Sequence, residues 1–444
     1  MRIKTISLML AILLLTACTP AENTSPGAEP EGEPTMNQLP TGEATPEQPA
    51  KPSYPRDVPD ISHLTSMELV RSMTAGWNLG NTLDAHWRAA PWKNLQSPKD
   101  QETLWGNPVT TRAMIDFIRE SGFDTVRIPV TWYIFTGSAP DYHIDERMLD
   151  RVQEIVDIVI DNGMFCILNI HHDDYLTGGS WENGWLRLYG DDEPLSLDEK
   201  AELRLRFTRL WEQISDRFQE YDEYLIFEGI NEPMTSTLQK QTVETWAEQS
   251  AFLNELLQDF IDTVRAGGGV NPDRHLMVTP YYASVGMDVN DKEGRIAGFI
   301  DIEAGTLRVS DPRDRLIVSL HYYEPWGFVT APSDSPYFSP VFDLSVSSVS
   351  WNLNQVLSII ETYFTKNGIP VIMGETGALH REMENGQSNE AERVKWAEMY
   401  VSGLKKLGVP VIIWDDGGAF ELLDRQALAW VYPDLAAALV EAAK

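Results

Sequence analysis

Basic residues and cysteines are scarce in this sequence of 444 residues. The chain has 35 lysines and arginines against 67 aspartates and glutamates, which gives a formal charge of −32 at pH 7. Binding to nucleic acid or to an anionic membrane surface needs a basic patch, so the composition argues against both partners. A share of 43% hydrophobic residues is still enough to bury a large core. A neutral substrate is the simpler expectation.

The apolar stretch at the N-terminus is too short to span a bilayer stably. It runs from Ile6 to Leu15 after Arg2 and Lys4, which is typical of a secretory signal and predicts removal of residues 1–17. Leu15-Thr16-Ala17-Cys18 at its end resembles a bacterial lipobox and predicts a lipidated Cys18. The alternative is an ordinary signal peptide with a chance cysteine.

A segment that cannot fold by itself follows the signal. Ten of the 27 prolines lie between Thr19 and Asp60, and such a Pro, Glu, Thr and Gly-rich composition buries too little apolar surface to fold. We therefore expect residues 18–60 to be a disordered tether on a lipid anchor, followed by a single catalytic domain over residues 61–444. The protein would be exported to the bacterial cell envelope, facing the periplasm or the exterior. Lipidation of Cys18 would leave Cys166 alone, without a disulfide partner.

Eight short β-type runs alternate with amphipathic stretches beyond this boundary. Helical patterns cover Met148 to Ile160, Glu199 to Phe218 and Glu244 to Val264. This alternation over ~350 residues predicts an α/β fold of the (β/α)8 TIM barrel type. The predicted strands are Gly76–Leu79, Thr125–Ile128, Phe165–Leu168, Leu225–Phe227, Leu276–Val278, Leu316–Val318, Val371–Met373 and Val411–Ile413.

Polar and aromatic residues stand at or beyond the ends of several of these strands. In a barrel of this type the carboxyl ends of the strands meet at one rim, where ligands bind. Glu232 follows the fourth strand and Glu375 the seventh. Two carboxylates that face each other across a barrel mouth suggest glycoside hydrolysis, and their separation decides between retention and inversion.

Eight motifs are spread in order from about Ser66 to the C-terminus. They are GWNLGNTLDA (Gly76 to Ala85), ETLWGNP (Glu102 to Pro108), VRIPVTW (Val126 to Trp132), NIHHD (Asn169 to Asp173), FEGINEP (Phe227 to Pro233), HYYEPW (His321 to Trp326), MGETG (Met373 to Gly377) and IIWDDG (Ile412 to Gly417). Together they resemble glycoside hydrolase family 5, with the nearest likeness to its endo-β-1,4-glucanases and their xyloglucanase relatives. The resemblance implies a retaining enzyme without a cofactor that acts on β-glucan poly- or oligosaccharides, here expected to be a monomer.

The resemblance also implies roles for individual residues. Glu232 corresponds to the general acid/base and Glu375 to the nucleophile. Asn231 is implied to hydrogen-bond the sugar 2-hydroxyl, while Arg127 and Tyr323 hold the nucleophile ionised and aimed.

Three further residues are implied to surround the cleaved sugar. His171 and His321 correspond to histidines of the cleavage subsite, and Trp414 corresponds to the aromatic floor under the sugar, although it could also be a core residue. A cis peptide bond between Trp414 and Asp415 is implied as well.

Several alternatives remain open in the sequence. Glu228 is the other carboxylate of the fourth strand, and we expect it to be a buried partner of an arginine or of backbone groups. His172, Asp173 and Asp174 could form a metal cluster with His171, but neighbouring strand residues point to opposite faces, so no metal site is expected.

The loop Asp84 to Leu104 carries His86, Trp87 and Trp92. The two tryptophans either stack on sugars or pack the loop onto the barrel. A mannanase, a xylanase or a catalytically silent carbohydrate-binding protein on the same barrel are the alternative functions, since specificity lies in loops. The motifs do not choose among linear glucan, mixed-linkage glucan and xyloglucan.

Overall fold

Eight parallel strands close into a barrel in sequence order, with the last strand paired to the first. The computed structural model describes residues 58–86, 95–173, 184–190, 193–234, 243–285, 307–383 and 386–444. Cys18, Trp87, Trp92 and Asp174 lie outside these residues. The signal, the lipidation, the tether and the role of the loop tryptophans therefore stay predictions.

All eight predicted strands are confirmed, each within a few residues of its predicted bounds. The strands are short because a barrel of this type needs only enough length to stack a few layers of inward side chains. They are β1 (Ala75–Leu79), β2 (Thr125–Ile128), β3 (Phe165–Asn169), β4 (Leu225–Glu228), β5 (Leu276–Val278), β6 (Leu316–His321), β7 (Val371–Thr376) and β8 (Val411–Asp415).

Helices separate most of the strands and cover the outside of the barrel. The three helical patterns of the sequence are confirmed as α4 (Glu146–Asp161), α5 (Leu197–Arg217) and α6 (Val243–Ala266), which bury an apolar stripe against the barrel. A small hairpin, β9 (Leu423–Asp424) with β10 (Ala429–Trp430), follows β8. The helices are α1 (Ser66–Ser72), α2 (Pro98–Glu102), α3 (Arg112–Glu120), α4 (Glu146–Asp161), α5 (Leu197–Arg217), α6 (Val243–Ala266), α7 (Trp326–Val329), α8 (Ser347–Ile359), α9 (Glu390–Lys406) and α10 (Pro433–Ala442).

The pairing of β6 with β7 is irregular at the rim. Leu320 pairs with Met373, but the next residue, His321, pairs with Glu375, so Gly374 is an extra residue in β7. A Cβ atom at Gly374 would lie 2.8 Å from Ser319 Oγ and 3.1 Å from His321 Nε2. This irregularity, which only glycine accommodates, sets Glu375 beside His321.

The hydrophobic core is continuous between the barrel and its helices, and it includes the fully buried Trp77, Trp132, Trp211 and Trp396. Val58, two residues before the predicted boundary at Asp60, already packs against it.

Among the residues that the structure describes, no helix combines the length and the apolar character that a membrane span requires.

Candidate active site

Glu232 and Glu375 both lie beside the Nδ1 atom of His321. His321 Nδ1 is 2.7 Å from Glu232 Oε1 and 3.7 Å from Glu375 Oε2. One oxygen of each carboxylate and a ring nitrogen lie within 4.8 Å of one another. Retaining glycosidases hold their two carboxyl groups about 5–5.5 Å apart and inverting ones about 6.5–9.5 Å. The close pair observed here has room for a sugar carbon but not for an additional catalytic water, so it fits retention.

Arg127 is fully buried at the centre of the site. Its Nη1 donates to Glu375 Oε1 at 2.6 Å and to Asn78 Oδ1 at 2.9 Å. Its Nε donates to Glu228 Oε2 at 2.7 Å, and its Nη2 donates to Asn231 Oδ1 at 2.8 Å. One guanidinium therefore fixes the predicted nucleophile, the predicted 2-hydroxyl ligand and two further residues in a single frame.

Glu375 has a second donor on its other oxygen. The Tyr323 hydroxyl donates to Glu375 Oε2 at 3.2 Å. Burial, together with the charge of Glu375, holds the pKa of Tyr323 well above its ordinary value, so the phenol keeps its proton. Burial also raises the pKa of Glu375, while the charges of His321 and Arg127 act in the opposite direction.

Glu232 is more accessible than Glu375. Its side chain is 29% exposed, against 7% for Glu375. A group that must protonate a leaving group and later deprotonate water needs this access. Burial lowers the pKa of the adjacent His321, but Glu375 and Glu232 outweigh that effect and raise it above the ordinary histidine value.

The amide of Asn231 has one possible orientation. A guanidinium only donates hydrogen bonds, so the atom of Asn231 that faces Arg127 Nη2 must be the amide oxygen. The NH₂ group is then the part of the side chain that can donate to a ligand. This orientation suits the predicted contact with a sugar hydroxyl.

His171 and Trp414 lie together at the rim. Their rings are parallel to within 5° with centroids 5.9 Å apart, and His171 Nε2 is 4.0 Å from Glu375 Oε1. A Cβ atom at Gly80 would lie 2.8 Å from the Trp414 indole, which explains the second glycine of the motif GWNLGNTLDA. Trp414 is 8% exposed, so it is mostly packed and can offer only part of its ring to a ligand.

A family model decides the affiliation. The model for cellulase (glycosyl hydrolase family 5) matches residues 83–419. The chain belongs to glycoside hydrolase family 5. The resemblance of the motifs and the predicted barrel are thereby confirmed, and the protein is a glycoside hydrolase of a retaining family.

Relatives in this family are similar over most of the chain. Endoglucanase B of Neocallimastix patriciarum is 35% identical over 390 residues, which cover 86% of this chain and 72% of that protein. A GH5-4 broad specificity endoglucanase from Ruminococcus champanellensis with bound cellotriose is 38% identical, with a TM-score of 0.70 over 87% of this chain and 100% of that one. A family 5 lichenase from Caldicellulosiruptor sp. F32, as a mutant complex with cellotetraose, is 29% identical with a TM-score of 0.72 over 88% and 97% of the two chains.

The expectation that His171 and His172 point to opposite faces is wrong for this family 5 site. β3 ends at Asn169, so both residues lie beyond the strand, where the alternation of side chains no longer applies. Their ring centroids are 4.3 Å apart. Together with Asp84 they bring three potential metal-ligand atoms within 4.8 Å of one another.

Hydrogen bonding argues against a metal at this group. Asn169 Nδ2 lies 3.1 Å from His171 Nδ1, and the Asn169 amide cannot flip because its oxygen accepts from Val130 N and its nitrogen donates to Glu228. Nδ1 of a neutral His171 is therefore the acceptor, and Nε2 carries the proton. Such a ring has no nitrogen lone pair left for a metal.

Asp173 has a structural role. Its carboxylate accepts from the backbone nitrogens of Trp132 and Tyr133 and from Trp185 Nε1 at 2.8 to 3.0 Å. It thereby joins the loops after β2 and β3, and its oxygens face these donors.

The loop after β1 contributes a residue to the rim. His86 is buried, with ring centroids 5.3 Å from both Trp105 and His172.

The implied cis bond between Trp414 and Asp415 is wrong, since the cis peptide bonds of the described residues are Ala139–Pro140 and Glu324–Pro325.

Asn78, which was not predicted from the sequence, orients Arg127. Asn78 Nδ2 donates to the carbonyls of Gly374, Ile412 and Ile413 at 2.9 to 3.3 Å, which leaves its oxygen for the guanidinium. The signal for it was a polar residue inside an otherwise apolar strand, which is costly unless hydrogen-bonded. Glu228 was correctly expected to pair with an arginine, and Arg127 is that arginine.

Proposed function

We propose that this family 5 protein is an endo-acting β-1,4-glucanase in which Glu375 is the nucleophile and Glu232 the general acid and base. The observation that supports this most directly is the pair of carboxylates with oxygens within 4.8 Å at the rim of the barrel. Their environments differ, since Glu375 is recessed between Arg127 and Tyr323 while Glu232 is partly exposed. Such a difference suits two carboxylates with different tasks.

The reaction proceeds in two displacements. Glu375 attacks the anomeric carbon as a carboxylate, the bond to the glycosidic oxygen breaks, and Glu232 gives its proton to that oxygen. Water then attacks the same carbon, transfers a proton to Glu232 and releases Glu375 as a carboxylate. Two inversions at one carbon give net retention.

The remaining residues around the cleaved sugar act through hydrogen bonds and packing. The NH₂ group of Asn231 donates to the sugar 2-hydroxyl, and His171 offers its Nε2 proton beside the nucleophile. His321 holds Glu232 at 2.7 Å. Trp414 forms part of the floor of the subsite.

The substrate is a β-1,4-linked glucan. The named relatives support this choice because they are endoglucanases or a lichenase, and their complexes hold cellotriose or cellotetraose. The site contains donors and aromatic surface suited to a neutral polymer. The neutral, hydroxyl-rich substrate also agrees with the formal charge of −32.

The test is the release of reducing ends from carboxymethylcellulose, mixed-linkage glucan, xyloglucan, mannan and xylan by the purified protein, with Glu375→Gln as the control. We expect hydrolysis of one or more glucans that disappears in the control. Activity confined to mannan or xylan would overturn the substrate, and binding without hydrolysis would leave a carbohydrate-binding protein.

We further propose export to the cell envelope on a lipid attached to Cys18, with residues 18–60 as the tether. The support is the sequence Leu15-Thr16-Ala17-Cys18 after an apolar run. Incorporation of labelled palmitate and recovery in the membrane fraction should both be lost in Cys18→Ala and kept in Cys166→Ala, since Cys166 is buried in β3. Palmitate labelling that survives Cys18→Ala would contradict the proposal.

The large negative charge also favours a monomer, because like-charged surfaces repel. Light scattering at physiological salt should give a mass near that of one chain, and a dimer mass would contradict this.

A further inference from the structure

Glu228 is a fully buried carboxylate that takes no part in the two displacements. It stands at the end of β4, four residues before Glu232. Three side chains donate to it, namely Arg127 Nε at 2.7 Å, Asn169 Nδ2 at 2.9 Å and Ser319 Oγ at 2.5 Å. Both carboxylate oxygens are engaged, and the side chain is enclosed below the rim, so Glu228 does not contact substrate.

Its position matters because Arg127 serves two carboxylates at once. Arg127 Nε is 2.7 Å from Glu228, and Arg127 Nη1 is 2.6 Å from Glu375. All three side chains are buried, where charges interact more strongly than in water. A single positive charge is thus divided between the nucleophile and a carboxylate that does no chemistry.

We propose that Glu228 is a positioning residue that limits how strongly Arg127 stabilises the ionised nucleophile. This inference rests on the proposed function of Glu375. Without the charge of Glu228, the positive charge of the buried guanidinium would act on Glu375 alone. Glu375 would then be a more stable and less reactive carboxylate. With Glu228 in place, Arg127 still orients Glu375 through its hydrogen bond. The charge of Glu228 then offsets part of the electric field that the guanidinium exerts on Glu375.

Other charged or titratable groups also face Glu375, and all of them stay the same when Glu228 alone is changed. The net effect of burial in this setting is a raised pKa of Glu375 despite the nearby cations. These groups are Arg127 from β2, His171 after β3, Glu232 after β4, Tyr282 after β5, and His321 and Tyr323 at and after the end of β6.

Glutamine can replace Glu228 with little disturbance. Its amide oxygen can accept from Arg127 and Asn169, as Oε2 does now. Its NH₂ group would face Ser319 Oγ, and a hydroxyl can accept as well as donate. Glu228→Gln therefore removes the charge and keeps the shape.

The experiment compares the pH dependence of kcat/KM on a soluble glucan for the wild type and Glu228→Gln. The acid limb of this profile reports ionisation of the nucleophile in the free enzyme. We expect the limb to move down by about one pH unit, as removal of a nearby negative charge predicts. Glu102→Gln is the matched control, because Glu102 forms an equally buried pair with Arg151 at 2.7 Å between α2 and α4. It should cost stability without moving the limb.

A second variant covers the case in which Glu228→Gln does not fold. Glu228→Asp keeps the charge but withdraws it by one methylene, so the limb should move in the same direction by a smaller amount. A residue that merely holds Arg127 in place would lower kcat with an unmoved limb. An unmoved limb, or one that moves up, in a folded variant would overturn the proposal.

A measurement without substrate separates this inference from the proposed function. Carbon-13 NMR of carboxyl-labelled glutamate, with Glu375 assigned from Glu375→Gln, should show the Glu375 titration at lower pH in the Glu228 variant. This shift tests the proposed coupling even if the wild type hydrolyses none of the glucans. Equal Glu375 titrations in both proteins would overturn the inference and leave the proposed function standing.

Discussion

Two sides of the same rim contain histidines whose pKa values are shifted in opposite directions. On one side, His321 lies between Glu232 and Glu375, and although burial lowers its pKa, these carboxylates raise it above the ordinary value. On the other side, burial holds the pKa values of His171 and His172 well below that value, and nearby cationic groups act in the same direction. Desolvation acts to lower the pKa of all three rings, so the neighbouring charges decide the direction.

The difference divides the work of the site. In the proposed reaction, the side with His321 holds the groups that carry protons, while the side with His171 offers neutral rings that donate hydrogen bonds to sugar hydroxyls or accept hydrogen bonds from them. The charge of Arg127 acts to lower the pKa values of His171, His321 and Glu375, so on the side with His321 it opposes the effect of the two carboxylates.

The largest expected effect comes from removing the charge on the proton-carrying side. Glu375→Gln should retain the fold and lose hydrolysis by on the order of 10⁴-fold or more, because no intermediate can form. Glu232→Gln should lose activity on glucan but retain turnover of an aryl cellobioside with a good leaving group, which needs no proton. Steady-state kinetics on both substrates checks this, and equal losses for the two variants on the aryl substrate would contradict the assignment.

The next largest effect is expected for the stability of a variant at Arg127. Arg127→Met leaves Glu228 and Glu375 buried without their shared cation, so the free energy of unfolding should fall by about 3–5 kcal/mol. Arg204→Met, which breaks a half-exposed pair with Asp259, should cost less than about 1 kcal/mol. Urea unfolding measures both, and similar losses for the two variants would show that burial of the Arg127 pairs contributes little.

Periodicity and motifs were sufficient to predict the barrel and the main carboxylates. Alternating apolar runs are a strong signal because each strand must be buried on both faces. The motifs located Glu232 and Glu375 because each stands at or within a few residues of the carboxyl end of a strand. Asn78 escaped because its role depends on contacts with β7 and β8, which are about 300 residues away in sequence.

The arrangement of the histidines could not be predicted for a different reason. The alternation of side chains holds only inside a strand, and β3 ends two residues before His171. The sequence places the end of the third run near Leu168, but it does not show how the chain turns afterwards. The contact between His171 and His172 therefore became visible only with the backbone of the loop.

Asp84 lies on the same side of the rim as His171 and His172, and its pKa is also shifted. Burial raises its pKa to about 7, against hydrogen bonds from the backbone of Thr82 and Asn81 that lower it. Since the folded state holds this proton above the ordinary pKa of 3.8, the contribution to stability is fully present below that value and is lost as the pH rises to about 7.

Asp84→Asn removes this titration. The difference in unfolding free energy between wild type and variant should therefore change by roughly 3–4 kcal/mol between pH 4 and pH 7, since the pKa is raised from 3.8 to about 7 and one pKa unit corresponds to about 1.4 kcal/mol. Urea midpoints across this range measure the difference. A constant difference would show that Asp84 ionises normally and that the side of the rim with His171 is more polar than its burial suggests.

The smallest expected effect is the most direct test of the two sides. Histidine NMR titration should place the pKa of His321 above the ordinary value of about 6.5 and that of His171 well below it. Glu232→Gln removes one of the carboxylates beside His321, so the pKa of His321 should fall while that of His171 stays low.

The two rings should also affect stability in opposite ways. The stabilising contribution of a protonated His321 is complete below about pH 6.5 and is lost as the pH rises through its raised folded pKa, whereas a neutral His171 costs stability as the pH falls below about 6.5. In the wild type these contributions oppose each other in neighbouring pH ranges. Replacing His321 with glutamine should therefore remove the loss of stability that His321 causes above about pH 6.5, so the stability of the variant should fall less than that of the wild type as the pH rises above this value. A His321→Gln profile with the same slope as the wild type would mean that the carboxylates do not hold a proton on His321, and the division of the site into two sides would then rest on geometry alone.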